Sequence, residues 1–186
     1  MRIAIIGTGN VGAAIARGLC GKGHEVVLGA RDPGGVQALA TETGARVALP
    51  ADAAKQAEIV VLALPWGAAE EAVKGLGDMA GQIVVDCMNP IGRTAAGIGL
   101  TLGHTTSGGE IVQGWLPRAH VVKTLNQVGA EIMADTARLP NRPVMFMAGN
   151  GDVARAKVGQ MLTDLGFEAL DAGDITKARL LEPFGM

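Results

Sequence analysis

The sequence predicts an α/β fold: a doubly wound, mainly parallel sheet with helices on both faces. Three observations carry this. Short apolar runs alternate with segments of helical pattern, and the connections between them are brief. The first run, Ile3-Ala4-Ile5-Ile6, passes directly into a glycine turn, Gly7-Thr8-Gly9-Asn10-Val11-Gly12, and then into a helical pattern over 13–19. The chain is 48% hydrophobic but only 3% aromatic, so its core must be built from Val, Ile, Leu, Ala and Met. That composition suits parallel strands covered on both sides.

Taken in order, the first strand and helix lead through a reversal at Gly21-Lys22-Gly23-His24 to a second strand, Glu25-Val26-Val27-Leu28. A helix over 36–43, a short strand Ala45-Arg46-Val47-Ala48 and a helix over 51–57 follow. The strongest strand is Ile59-Val60-Val61-Leu62-Ala63-Leu64, ended by Pro65-Trp66 and followed by a helix over 68–76. Ile83-Val84-Val85-Asp86-Cys87, closed by Asn89-Pro90, is the fifth strand. Between 91 and 109 the periodicity lapses among six glycines, and the segment reads as a long loop of functional length. The pattern resumes with a helix over 109–116, a sixth strand Ala119-His120-Val121-Val122-Lys123 and a seventh over 143–148. A helix over 153–165 turns Val158, Met161, Leu162 and Leu165 inward, and Phe167-Glu168-Ala169-Leu170 is the last strand. No linker or repeat interrupts this order, so residues 1–186 are expected to form a single domain.

Strand, G-x-G-x-x-G and helix, in that order, is the context in which the motif binds a dinucleotide, and it makes the expected fold Rossmann-type. Gly7 permits the tight turn, Gly9 lets backbone approach a pyrophosphate, and Gly12 lets helix and strand pack closely. The pyrophosphate then rests on free N–H groups at the positive end of the helix.

Arg31 decides which dinucleotide. An NAD site places a carboxylate near the end of the second strand, about 20 residues past the motif, to bind the ribose 2′-hydroxyl. Here that strand ends Leu28-Gly29-Ala30, and Arg31 follows at once. A guanidinium grips a 2′-phosphate through charge-assisted hydrogen bonds, so the expected cofactor is NADP(H). Asp32 is the competing feature, since it stands close enough to be a displaced ribose-binding acid.

A formal net charge of -2 gives no basic footprint for nucleic acid or an anionic membrane. No apolar run approaches the roughly 18 residues of a membrane span. Cys20 and Cys87 lack metal-ligand spacing and are expected to be buried thiols in a reduced cytoplasm.

In a doubly wound sheet the ligand lies beyond the carboxyl ends of the strands. Thr8 to Val11 and Gly29 to Asp32 should serve pyrophosphate and adenosine, while Pro65, Trp66, Asn89 and Asn126 should flank the nicotinamide. Trp66 offers a flat wall for a ring, and Asn89 also suits a turn before Pro90. His24 is expected to be solvated, and Lys123 is the one cation expected at a strand end facing the cleft. No nucleophile elbow, metal cluster or catalytic triad spacing occurs, and the absence of tyrosine excludes a tyrosine-based dehydrogenase. No catalytic or metal-binding residue is therefore assigned. Hydride exchange between two aligned redox cofactors needs positioning more than proton transfer, and it matches that inventory.

The stretches IIGTGNVGAAIARGLCGKGHEVVLGARDP, VVLALPW, VVDCMNP and SGGEIVQGWLPRAHVVKTLN resemble the NADP oxidoreductases dependent on a deazaflavin coenzyme. The same domain resembles the cofactor domain of the six-transmembrane ferric reductases. The resemblance is collinear over nearly the whole chain. It implies that Thr8, Asn10, Val11, Arg31, Leu64 and Pro65 hold NADP, and that hydride passes to or from an 8-hydroxy-5-deazaflavin without a dedicated acid–base residue. Two departures stand out. Ala30 occupies a position commonly Ser or Thr, which removes one hydrogen bond to a 2′-phosphate. Relatives usually continue into a further helix beyond Glu182-Pro183-Phe184-Gly185-Met186, where part of a substrate pocket or subunit interface would lie.

Two other readings follow from the same residues. One is an NADPH-dependent reductase of a small imine, carbonyl or ferric substrate; its imine and carbonyl forms need a proton donor such as Lys123 or a histidine. The other is a non-catalytic module that senses NADP. Leu180, Leu181 and Phe184 are expected to be exposed and to pair two copies as a homodimer.

Overall fold

A computed structural model describes residues 1–185. In chain order the elements are β1 (Arg2–Ile6), α1 (Asn10–Leu19), β2 (Glu25–Gly29), α2 (Gln37–Thr43), β3 (Arg46–Ala48), α3 (Pro50–Gln56), β4 (Ile59–Leu62), α4 (Ala69–Lys74) and β5 (Ile83–Asp86). They continue with β6 (Ile91–Thr94), β7 (Gly97–Leu100), α5 (Gly108–Trp115), β8 (His120–Lys123), α6 (Ala130–Ala134), β9 (Val144–Gly149), α7 (Asp152–Asp164), β10 (Glu168–Asp171) and α8 (Ala178–Phe184). Eight strands form one sheet in the order β10-β9-β8-β5-β4-β1-β2-β3. All neighbours pair in parallel except β8 and β9, which are antiparallel. The fold is the Rossmann-type α/β arrangement.

Because side chains alternate across a strand, each apolar run feeds two cores. Ile3 and Ile5 of β1 pack with Ile15 and Leu19 of α1 and with Val158, Met161 and Leu162 of α7. Ala4 and Ile6 point the other way, to Ala53 of α3, Val73 of α4, Val112 of α5 and Ala178 of α8. Continuous apolar strands with no polar face are thus what this sheet requires.

The structure differs from the sequence reading at four points and adds one element that was not foreseen. The segment after Asn89-Pro90 is not a plain loop: β6 and β7 form an antiparallel hairpin with Arg93 opposite Ile98. Its glycines disguised it, since Gly92 and Gly99 lack the branched side chains that mark strands, while Gly97 at φ 118° opens β7 directly after the turn at Ala95-Ala96. The region after β8 carries α6, too short for a readable period; it is held by packing on α1, where Gly18 leaves room beside the Met133 carbonyl. His24 is not solvated: its side chain is 5% exposed, with Nε2 3.1 Å from the Asp164 carboxylate. Cys20 is exposed and only Cys87 is buried. At the chain's end Leu180 and Phe184 are exposed as expected, but Leu181 faces the core. Among the described residues no helix is long and apolar enough to cross a membrane.

Candidate cofactor site

The direction of strand order reverses between β1 and β4, so a crevice opens where their following loops part. The glycine turn occupies one wall. Gly7 adopts φ 98°, and a Cβ there would lie 2.3 Å from the Ala63 carbonyl oxygen, in the loop after β4. A Cβ on Gly12 would lie 1.8 Å from the Gly7 carbonyl oxygen. These two glycines are fixed by the protein's own packing. Gly9 differs: a Cβ there would meet nothing within 4 Å. Its bareness serves no internal contact, and it leaves backbone open beside the first turn of α1. That turn contains no acidic residue, and Gly9 offers no capping side chain. Its N–H groups and the helix dipole are therefore free for an anion. Thr8, Gly9, Asn10 and Val11 all retain exposure here. Leu64 packs against Gly7 from the opposite wall, with Pro65 exposed beside it.

Beyond β2 the chain stays in the sheet for one more bond, from the Ala30 N–H to the Ala48 carbonyl, before Arg31 emerges exposed. Arg31 forms no ion pair among the described residues. Asp32 accepts a hydrogen bond from the Gly34 N–H at 3.1 Å, closing a local turn. Its carboxylate stabilises that turn, which explains an acid beside Arg31 without assigning it to a ribose. Arg31→Glu should raise the dissociation constant for NADPH about tenfold to a hundredfold, by loss of roughly 1–3 kcal/mol of charged hydrogen bonding, read by fluorescence titration.

The opposite end of the crevice is built from loops after β4, β5 and β8. Trp66 opens a short 3₁₀ turn, stacks on Trp115 with ring centroids 5.6 Å apart, and packs against Gly108. Asn89 and Asn126 join two loops: Asn89 Nδ2 donates to the Asn126 carbonyl at 3.2 Å, and Asn126 Nδ2 donates to Asn89 Oδ1 at 3.1 Å. Asn126 Nδ2 also donates to the Leu181 carbonyl at 2.8 Å, while its Oδ1 accepts from Gln127. The Asn126 side chain is thus committed within the protein, whereas Asn89 is only partly buried. Leu125, just before Asn126, takes φ 62°, a conformation costly for a branched side chain.

Residues 2–90 match the model of the family described as NADP oxidoreductase, coenzyme F420-dependent. A crystal structure of a candidate F420-dependent NADP-reductase from Arthrobacter sp. FB24 is 36% identical, with TM-score 0.91, covering 99% of this chain and 90% of that one. This chain belongs to that family. A hypothetical protein of Sinorhizobium meliloti, SMa0349, is similar at 30% identity and TM-score 0.84, covering 96% of this chain and 88% of that one. The rat (Rattus norvegicus) metalloreductase STEAP3 is 30% identical over 184 residues, 97% of this chain. The chain spans only 36% of that relative's length. Membership places the chain among NADP-dependent oxidoreductases, the deazaflavin-linked family expected from the sequence.

In this family member Lys123 does not face the cleft. It is fully buried, 3.1 Å from Asp86 Oδ2 and 3.0 Å from Glu182 Oε1, and it also donates to the Met88 carbonyl. Burial pulls its ammonium downward, but the two carboxylates outweigh that and hold its pKa above the ordinary lysine value. All three of its N–H bonds are used inside the protein, so none is left for a substrate. Glu182 in turn accepts from the Gly108 N–H at 2.9 Å and the Gly109 N–H at 3.0 Å, at the start of α5. Sequence reasoning missed this cluster. The available signal was a carboxylate and an ammonium closing two otherwise apolar strands, Asp86 and Lys123, which are register partners across β5 and β8. Cys87 nearby is inert: burial, with the Asp86 charge added, pushes its thiol far up, against a smaller opposing effect of Lys123.

Proposed function

We propose that the chain binds NADP(H) along the carboxyl-end crevice and exchanges hydride between the nicotinamide and a deazaflavin or related flavin acceptor. The observation that carries this is Gly9, bare toward open space at an uncapped helix start, with exposed, unpaired Arg31 beyond the next strand. In this reading Gly7, Thr8, Gly9, Asn10, Val11 and Gly12 present backbone and short side chains to the pyrophosphate. Arg31 holds the 2′-phosphate, from one side only because Ala30 contributes no hydroxyl. Leu64, Pro65 and Trp66 border the cofactor on the β4 side. Asn89 offers its amide at the nicotinamide end, with Asn126 bracing it from behind.

When bound, the reduced nicotinamide supplies the hydride. The chain's own part is orientation and exclusion of water, which are large terms when two ring systems must approach closely. Reduction of an imine or carbonyl would also need a proton, and the cation nearest this end, Lys123, is saturated. Anaerobic NADPH oxidation with a deazaflavin, a flavin, a ferric chelate and a cyclic imine in parallel tests the proposal. The deazaflavin or flavin should be reduced and the imine left unchanged. Turnover confined to the imine or to the chelate would overturn it, as would NADPH binding with no acceptor reduced.

A further inference from the structure

We infer that Glu182 is a positioning residue for the nicotinamide end of the crevice, acting through the loops that carry Asn89 and Asn126. The inference rests on the proposed placement of the nicotinamide, but its structural part can be read separately. Glu182 pins α8 to the molecule at three atoms: Lys123 Nζ at 3.0 Å and the Gly108 and Gly109 N–H groups. Arg179 adds a second tie, donating from Nε to Glu110 Oε2 on α5 at 2.8 Å. With α8 pinned, the Leu181 carbonyl receives Asn126 Nδ2, and the following residue beyond the helix presses on the same place. A Cβ on Gly185 would lie 2.3 Å from the Asn126 carbonyl oxygen. That carbonyl is also the acceptor for Asn89 Nδ2. The route from Glu182 to Asn89 is therefore continuous: carboxylate, helix, Asn126, Asn89.

The strained backbone at Leu125 gives this route a reason to exist. A loop held at φ 62° relaxes unless its neighbours over-determine it, and α8 is one of those neighbours. Loosening Glu182 should leave the glycine turn of α1 untouched, since the two lie at different parts of the rim, and should blur the far end alone.

The test uses Glu182→Gln, which keeps volume and one acceptor oxygen, and Glu182→Ala, which opens a carboxylate-sized gap. In Glu182→Gln, amide exchange over 87–90 and 124–128 should quicken about tenfold while 7–12 is unchanged. NADPH affinity should stay within about twofold, and kcat should fall about tenfold to a hundredfold, as expected of misplacement near the reacting atoms. Formate should restore part of the kcat of Glu182→Ala, and chloride should not. Faster exchange confined to 178–185, with kcat preserved per folded molecule, would make Glu182 purely structural and overturn the inference. So would slowed turnover accompanied by lost NADPH binding. If the unmodified protein reduces no acceptor, the hydride-transfer reading fails, and the exchange pattern still decides whether Glu182 sets these loops.

Discussion

Lys123→Met should destabilise the protein by about 3–5 kcal/mol, the usual cost of leaving buried charge without its partner. For a chain of this size that corresponds to a fall in melting temperature of roughly 6–20 °C in calorimetry. The methionine fits the space of the lysine stem, so the loss comes from Asp86 and Glu182 facing each other with no cation between them. The pH dependence has a definite sign. Lys123 has its pKa raised on folding, so its contribution is complete below the unfolded lysine value and is lost only as pH climbs through the higher folded value. The contribution that Lys123 makes to the parent should therefore be constant across neutral pH and be lost in strong alkali, where the deficit of Lys123→Met shrinks. Adding Glu182→Gln to Lys123→Met removes one stranded charge and should return part of the loss. If Lys123→Met melts like the parent, the buried triad contributes nothing net.

Gly9→Ala should do the opposite: leave the free protein nearly as stable and ruin cofactor binding. Gly9 sits at φ -71°, ψ -164°, where alanine is comfortable, and its Cβ would touch nothing. The change in unfolding free energy should stay below about 1 kcal/mol, the scale of an N-cap substitution. The methyl group would occupy the space through which a pyrophosphate reaches the N–H groups of α1. NADPH affinity should fall about a hundredfold, near 2.7 kcal/mol, by isothermal titration. Gly12→Ala is the control, because its Cβ would collide with the Gly7 carbonyl oxygen and must cost stability with or without ligand. Equal NADPH affinity in Gly9→Ala and the parent would move the phosphates elsewhere.

The contrast between these residues also explains what sequence reading reached. The glycine turn was legible because each glycine answers a local demand: a left-handed φ at Gly7, a close helix–strand approach at Gly12, an open face at Gly9. The sheet was legible because β1, β4 and β5 are buried on both faces and so carry unbroken apolar runs. The β6–β7 hairpin was not, because its strands are glycine-rich and exposed, with Ile98 83% exposed. Lys123 was misplaced for a different reason. Position at a strand end says which rim a side chain occupies, not whether a distant helix covers it. Glu182 lies in a segment whose apolar neighbours read as surface, and only the tertiary fold brings it beneath α5.

Among the glycine-flanked helix starts, those of α1 and α5 have opposite fates. The one at α1 is vacant of any internal anion, whereas the one at α5 is plugged by the chain's own carboxylate. A phosphate-bearing molecule arriving at the second would have to evict Glu182 from Lys123 as well as from two amides. Of these two starts only that of α1 is open to a phosphate, so a pyrophosphate laid in this crevice would settle at the glycine turn and not at the Trp66 end.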